Sequence, residues 1–407
     1  MATLLLYPSF PNPESFIDQL YRAIWHYAPM VQKIDHLVFL YSGEDAESLN
    51  VNKILSESNR HLPEDFDPRI MELAAKFLGK IILVSEESYI ADMNIKGVIV
   101  WNTSHAAHTA KAQRIAKDAG CDLVIADPER TQQETLQMIR FAYSLWTETE
   151  LNSLVQSSYT KFLNVYKEFR GRSISVLGNG PSLKKVIEQK VELGETVRAI
   201  CNSTISDTQA LEYLNPQLLF CGDPVQHCGV SVYAGQYRRD LAKALEYPSR
   251  YLFTQLGYVP YFQAVIPSEF HNRIIGIGND RRSKFNLDLL SEYLSVSTAN
   301  IITMLVLPVA FSLTKSIEIY GCDGMAFAAA TKPWSHADED DYLSKMSVTH
   351  RVHRGFWQRN YEEEYWSYSR DLCEILDQAE SEECKIRVRT PSFVPALAKR
   401  FFPLPHA

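Results

Sequence analysis

The segment Ile174–Leu183, with the sequence ISVLGNGPSL, limits the fold more than any other part of the chain. Its apolar residues up to Leu177 predict a buried strand, and Gly178-Asn179-Gly180 predicts a turn too tight for large side chains. Pro181 suits the first turn of a helix, where its missing N–H costs nothing. The free N–H groups of a helix start favour an anion, most often a phosphate. The segment therefore predicts a phosphate-ester site in an α/β domain, although such a turn also occurs as an ordinary strand-to-helix connection.

Apolar runs alternate with helical patterns along both halves of the chain, which predicts parallel, Rossmann-like sheets. The expected strands of the first half are 4–9, 36–42, 80–85, 97–102 and 121–127. Those of the second half are 174–178, 197–202, 218–223, 250–254, 273–278, 316–324 and 385–391. We expect two α/β domains, over 1–150 and 172–407, joined by a helical connector over 151–171.

Composition narrows the class of protein. The 407 residues include 46% hydrophobic and 22% charged residues, so the chain is able to bury real cores. A net charge of −8 and the absence of a long basic stripe argue against a nucleic-acid partner. Seven cysteines without a C-x-x-C pair, and an amino terminus without basic residues before its apolar run, predict a cytoplasmic protein. No apolar run is long enough for a transmembrane helix.

Four motifs lie at the ends of predicted strands in the second half. They are GNGPSLK at 178–184, Cys201-Asn202-Ser203, Asp223-Pro224, and Ser297-Thr298-Ala299, the last followed by an apolar helix and the strand IEIYGCD. Over residues 172–395 this order resembles the bacterial sialyltransferases of glycosyltransferase family 42 and the related domain of motility-associated flagellin glycosyltransferases. The resemblance implies a CMP-activated sugar donor and a metal-independent, inverting transfer to a glycan hydroxyl.

The resemblance also implies roles for single residues. Gly178, Asn179, Gly180 and Ser182 would face the donor phosphate and ribose, and Asn202 would hold the nucleotide. Asp223, where the sialyltransferases have an Asn, would lie near the phosphate or sugar. Ser297 and Thr298 would contact the donor sugar or its carboxylate. Asp323 ends a fifth strand, and ligands of open α/β sheets bind beyond the carboxyl ends of strands.

An inverting sugar transfer needs a base for the acceptor hydroxyl and a group that stabilises the leaving phosphate. The segment 349–357, which takes the place of the family's base, contains His353 and His350; we favour His353, although the spacing does not decide between them. The long connection 324–348 predicts a lid, as long structureless loops often do. It has one tyrosine where the sialyltransferases use two, so Lys332 or His336 is the candidate for the leaving phosphate. The Arg that precedes the hydroxyl-rich turn in that family is also missing, which leaves sialic acid, Kdo, pseudaminic acid or another donor open.

Further alternatives stay open at the level of sequence. The flagellin-type domain is also similar to archaeal 6-hydroxymethylpterin diphosphokinases, which would need Mg²⁺, here on Asp223 and Asp323. A nucleotide-sugar-binding protein without catalysis is the third reading. The resemblance makes 172–407 the donor-binding catalytic domain, and 1–150 is then the candidate for the acceptor side. The acceptor is expected to be a glycan or lipid-linked glycan of the bacterial surface, and no cofactor or resident metal is expected. The carboxyl-terminal VPALAKRFFPLPHA either docks at the inner face of the membrane or packs on the protein. The basic cluster at 279–284 is a candidate for an acidic acceptor or a phosphate, or a solvated turn.

Overall fold

A computed structural model describes residues 2–44, 49–85, 90, 93–282, 284–326 and 339–403, with only the backbone described for Ser58 and for 339–345. The chain forms two compact units. The first comprises Met1–Thr147, Pro224–Gln236 and Lys345–Arg359, and the second comprises Glu148–Asp223, Tyr237–Ser344 and Asn360–Ala407.

The amino-terminal segment alternates strands and helices. Its elements are β1 (Ala2–Phe10), α1 (Pro13–Tyr27), β2 (Ile34–Tyr41), α2 (Val51–Ser56), α3 (Ser58–His61), α4 (Ile70–Ala74), β3 (Ile81–Val84), β4 (Ile95–Val100), α5 (Ala106–Ala119), β5 (Asp122–Ile125) and α6 (Glu134–Ser144). The strands form one sheet in the order β3-β2-β1-β4-β5, and every pairing is parallel. Strand β1 is almost wholly buried, as expected for a central strand covered on both faces.

The rest of the chain repeats the pattern on a larger scale. It contains α7 (Glu148–Phe169), β6 (Ile174–Leu177), α8 (Pro181–Glu188), β7 (Val197–Cys201), α9 (Thr208–Leu214), β8 (Leu218–Phe220), α10 (Pro224–Cys228), α11 (Val232–Ala244), β9 (Tyr251–Gln255), α12 (Val259–Val265), β10 (Ile274–Asp280), β11 (Leu294–Val296), a π-helix (Ile302–Val306), α13 (Leu307–Leu313), β12 (Ser316–Tyr320), α14 (Glu339–Val352), α15 (Tyr361–Ser381), β13 (Lys385–Val388) and α16 (Pro395–Ala398). Phe162, Val165 and Phe169 of α7 belong to the apolar core of the second unit.

The second sheet has eight strands in the order β11-β10-β9-β8-β7-β6-β12-β13, all paired in parallel. The chain runs outward from β6 to β11 and then returns to place β12 on the other side of β6. The strand order therefore reverses between β6 and β12, the kind of position where α/β sheets open a crevice for ligands. The predicted α/β, Rossmann-like architecture with parallel sheets is confirmed.

Three local features differ from what the sequence indicated, and the lid expected within 324–348 falls largely on residues outside the described ranges. Strand β11 was not expected, because Leu294-Ser295-Val296 is too short to show a pattern. The connection 324–348 is not wholly irregular, since α14 begins at Glu339. The apolar helix expected after Ser297-Thr298-Ala299 contains a π-helical stretch, Ile302–Val306. No helix within the described ranges is both long and apolar enough to span a bilayer.

Candidate functional site

The glycines of the GNG turn allow two loops to touch at the carboxyl edge of the second sheet. The Gly180 N–H donates to the Gly321 carbonyl at 2.7 Å. A Cβ on Gly178 would lie 2.6 Å from that carbonyl oxygen, and one on Gly180 would lie 2.7 Å from it. Both glycines are therefore required where the loop after β12 crosses the turn after β6.

A carboxylate already occupies the start of α8. Asp323 accepts from the Ser182 N–H at 3.1 Å and from the Ser182 hydroxyl at 2.8 Å. Burial raises the pKa of Asp323, and the hydrogen bonds from Ser182 oppose that rise. The helix dipole favours a negative charge at this position. Asp323 thus uses one of the N–H groups that the sequence assigned to a donor phosphate.

Asn179 connects the ends of β6 and β7. Its amide nitrogen donates to the Ser203 hydroxyl, and its amide oxygen accepts from the Thr204 hydroxyl at 3.1 Å. Within the fold Asn179 therefore positions the 202–204 segment, which contains the next candidate residue.

Asn202 is the residue whose conformation and bonding are hardest to explain by packing. Its φ of 52° is left-handed, which an asparagine adopts more readily than most residues. Its side-chain oxygen is buried and has no hydrogen-bond partner among the described residues. A buried acceptor without a partner is costly, so such a group at a strand end is a candidate for ligand binding.

The polar edge continues across three more strands. Asp223 follows β8 and is half-buried. Gln255, the last residue of β9, donates to the Gly222 carbonyl at 3.0 Å and accepts from the Asn279 amide at 2.8 Å. Sequence reasoning missed Gln255 because the expected strand ended at Thr254. A polar residue directly after the run YLFT was the available signal.

The hydroxyl-rich turn lies at the end of β11. The Ser297 N–H donates to the Asp280 carbonyl at 2.7 Å, which holds the turn beside β10. The Thr298 hydroxyl bonds the hydroxyl of Thr303, a residue of the π-helix, at 2.8 Å. Ser297 and Thr298 line a cleft of about 520 Å³ together with Arg281, Lys284 and Arg370.

The two candidate bases belong to the first unit, whereas the donor-site candidates belong to the second. His353 is fully buried; its Nδ1 bonds Glu134 Oε1, and its Nε2 has no hydrogen-bond partner within the described parts of the chain. A Cβ on Gly229 would lie 2.9 Å from that Nε2, so backbone covers this side of the ring.

Glu134 is the centre of a buried charged cluster. Arg22 donates to it at 3.1 Å, in addition to the bond with His353. Burial alone would raise the pKa of Glu134, but its interactions with His353 and Arg22 prevail and lower the pKa to about 2. Glu134 is therefore ionised throughout the physiological range.

His350 is also buried, and neither of its ring nitrogens has a hydrogen-bond partner among the residues described. Burial, followed by repulsion from His353, lowers the pKa of His350 to about 3. Its imidazole is therefore neutral at neutral pH.

The remaining candidates receive no structural description. Lys332 and His336 lie outside the described residues. Among the residues that are described, no group of three or more His, Cys, Asp or Glu side chains forms a metal-binding arrangement.

Comparison of the chain with protein-family models, with curated proteins and with solved structures gave no match.

Proposed function

We propose that the protein is an inverting glycosyltransferase that uses a CMP-activated sugar, with a sugar acid as the expected donor. The observation that carries the proposal is a row of polar side chains at the carboxyl edge of seven neighbouring strands of the second sheet. From β12 to β11 the row consists of Asp323, Asn179, Asn202, Asp223, Gln255, Asn279 and Ser297. This is the edge at which α/β sheets bind nucleotides, and its crevice opens beside β6.

The chemistry of the row suits a nucleotide and a sugar. Amide and hydroxyl groups from Asn179, Asn202 and Ser203 match the donors and acceptors of a cytosine and a ribose. In the reaction, the acceptor oxygen forms a bond to the anomeric carbon while the bond from that carbon to the phosphate oxygen breaks. CMP leaves with the electron pair, and the acceptor proton passes to a base, for which His353 and His350 stay the candidates.

The position of Asp323 limits where the leaving phosphate would bind. Because its carboxylate already bonds Ser182, a phosphate directly at that N–H would meet a like charge. We expect the phosphate nearer to the amide of Asn202 than the GNG motif by itself suggests.

The test is a thermal-shift titration of the purified chain with CMP, CDP, UDP, GDP, ADP and ATP, each with and without Mg²⁺. A ligand that binds only the folded state raises the melting temperature according to its affinity. Stabilisation by CMP without metal supports the proposal. Stabilisation only by ATP or ADP with Mg²⁺ would replace it with pyrophosphoryl transfer to an alcohol, with Asp223 and Asp323 as metal ligands.

A pair of matched variants locates the binding site. Asn202 and Asn215 are both asparagines with positive φ, but Asn215 is exposed and precedes β8, at the opposite edge of the sheet. Asn202→Gly should weaken CMP binding by roughly tenfold, the loss of one good hydrogen bond, while Asn215→Gly leaves it unchanged. Equal affinities in the two variants would remove Asn202 from the site.

A further inference from the structure

Two adjoining clefts of the second unit share the cations Arg281, Arg282 and Lys284, and they differ in charge. The larger, of about 630 Å³, also contains Asp288, Glu292 and Glu382, so its cations are matched by carboxylates. The smaller, of about 520 Å³, contains Arg370 as a fourth cation but only Asp371 and Glu374 as carboxylates. The smaller cleft therefore has an excess of positive charge, in a chain whose net charge is −8.

The unmatched charge belongs to two particular side chains. Arg282 pairs with Glu292, and Arg370 pairs with Asp371. Arg281 and Lys284 have no carboxylate partner among the described residues, and both are exposed. The backbone N–H of Arg281, by contrast, is held by the Asp280 carboxylate at 2.6 Å, which fixes the start of the segment. The two cations are thus available to a ligand on an anchored backbone.

The lining of the cleft also includes a hydroxyl, that of Ser297. Ser297 is exposed, its backbone is fixed to Asp280, and its side chain makes no hydrogen bond within the described parts of the chain. Guanidinium, ammonium and hydroxyl groups together form a site for a carboxylate or a phosphate, and the volume is within the range of small-ligand sites.

The cleft is distant from the crevice at which a nucleotide is expected. Strands β10 and β11 lie four and five positions from β6, which at the usual strand spacing is ~19–24 Å. Exposed cations this far from the nucleotide crevice are suited to bind an anionic group of the second substrate, the acceptor.

We propose that this cleft is an anion-binding subsite for the acceptor, and that Arg281 and Lys284 bind a carboxylate or a phosphate of an acidic glycan. The assignment to an acceptor rests on the proposed function, whereas the anion site itself does not. It gives the acceptor a chemical class that the polar row leaves open, and it assigns Ser297 to the acceptor instead of the donor sugar that the resemblance implies.

The test uses D-glucuronic acid and glucose 1-phosphate as probes, which separate the carboxylate from the phosphate, with glucose as the neutral control. Each is titrated at constant ionic strength into the full chain, and the melting temperature is recorded. The variant Arg281→Ala/Lys284→Ala removes the two cations. The control Lys167→Ala/Lys243→Ala removes two exposed lysines of the second unit outside the cleft, with the same change in charge.

We expect one or both acidic sugars, but not glucose, to stabilise the wild type and the control, with roughly tenfold weaker binding by the Arg281/Lys284 variant. Equal binding by both variants, or no preference of the wild type for acidic sugars over glucose, would overturn the proposal. CMP affinity is measured on the same proteins. If CMP fails to bind while the acidic sugars still require Arg281 and Lys284, the glycosyltransferase proposal fails and the anion site stands.

Discussion

The carboxylate of Asp323 accepts hydrogen bonds from both the backbone N–H and the hydroxyl of Ser182, 141 residues earlier in the chain. This pair joins the loop after β12 to the start of α8, on the two sides of the point where the strand order reverses. Asp323 therefore caps a helix from a distant segment, whereas most helices are capped by a residue just before them.

Asp323→Ala should lower the free energy of unfolding by about 1–2 kcal/mol, as the loss of a helix cap does. Asp323→Asn should recover most of the loss, because its amide oxygen still accepts from the Ser182 N–H. Asp207→Ala is the matched comparison, since Asp207 caps α9 locally through the Ala210 N–H at 2.9 Å. Urea unfolding followed by circular dichroism measures all three. A stability of Asp323→Ala equal to that of wild type would contradict the cap.

Asn202→Gly should make the protein more stable, the opposite of most substitutions at buried positions. It removes a buried oxygen without a partner, whose cost is about 1–3 kcal/mol, and glycine accepts the positive φ at no steric cost. Glycine gives the unfolded chain more conformational entropy than asparagine does, and this reduces the gain. We therefore expect the free energy of unfolding to rise by up to about 1 kcal/mol. A higher melting temperature together with weaker nucleotide binding identifies a residue kept for function. A lower melting temperature would mean that Asn202 is a structural residue.

The fold was predictable where an apolar run lies between a polar residue and a glycine turn, as at β6 and β12. Strand β11 was not predicted, because three residues at a sheet edge show no hydrophobic periodicity. The individual strand ends were visible in sequence, but their bonding was not. Nothing local signals that Asp323 reaches Ser182 or that His353 bonds Glu134, which is 219 residues away. Such pairs depend on the strand order, which single-sequence patterns do not specify.

His353→Ala should lower the free energy of unfolding by about 3 kcal/mol or more, because it removes one hydrogen-bond partner of the buried Glu134 carboxylate, which keeps only Arg22 and the Thr135 hydroxyl, and opens a cavity. His350→Ala should cost less, since its ring nitrogens have no hydrogen-bond partners within the described residues. Denaturation with urea gives both values.

Turnover measurements distinguish a structural role from a catalytic role for His353 and His350. If His353 is the base, His353→Gln should lose turnover while circular dichroism shows that it is folded. Full turnover in folded His353→Gln and in folded His350→Ala would exclude both histidines as the base.

Acid should destabilise the protein from about pH 6.5 downward, and His26 is one cause. Burial lowers the pKa of His26 to about 3, from an ordinary value of 6.5. Between these values the unfolded chain binds a proton that the folded protein does not, so stability falls as the pH falls. The slope from this one residue approaches about 1.4 kcal/mol per pH unit.

The variant His26→Asn isolates that contribution, since its amide nitrogen can still donate to the Arg22 carbonyl, which lies 2.8 Å from His26 Nδ1. Urea midpoints between pH 7 and pH 4 should fall less steeply in this variant than in wild type. Parallel curves would show that His26 is not buried as a neutral ring. Below about pH 4.5 both proteins should lose further stability, because Glu134, with a folded pKa of about 2, then gains a proton only when unfolded.

The first unit is assembled from three separate stretches of chain, and this constrains when it can fold during synthesis. The indole N–H of Trp25 donates to the Cys228 carbonyl at 2.8 Å, and Arg22 donates to the Val352 carbonyl at 2.7 Å. During synthesis these donors on α1 lack their acceptors, which follow more than two hundred residues later in the chain. The stretch Met1–Thr147 of this unit therefore completes its packing only after residue 359 has been synthesised.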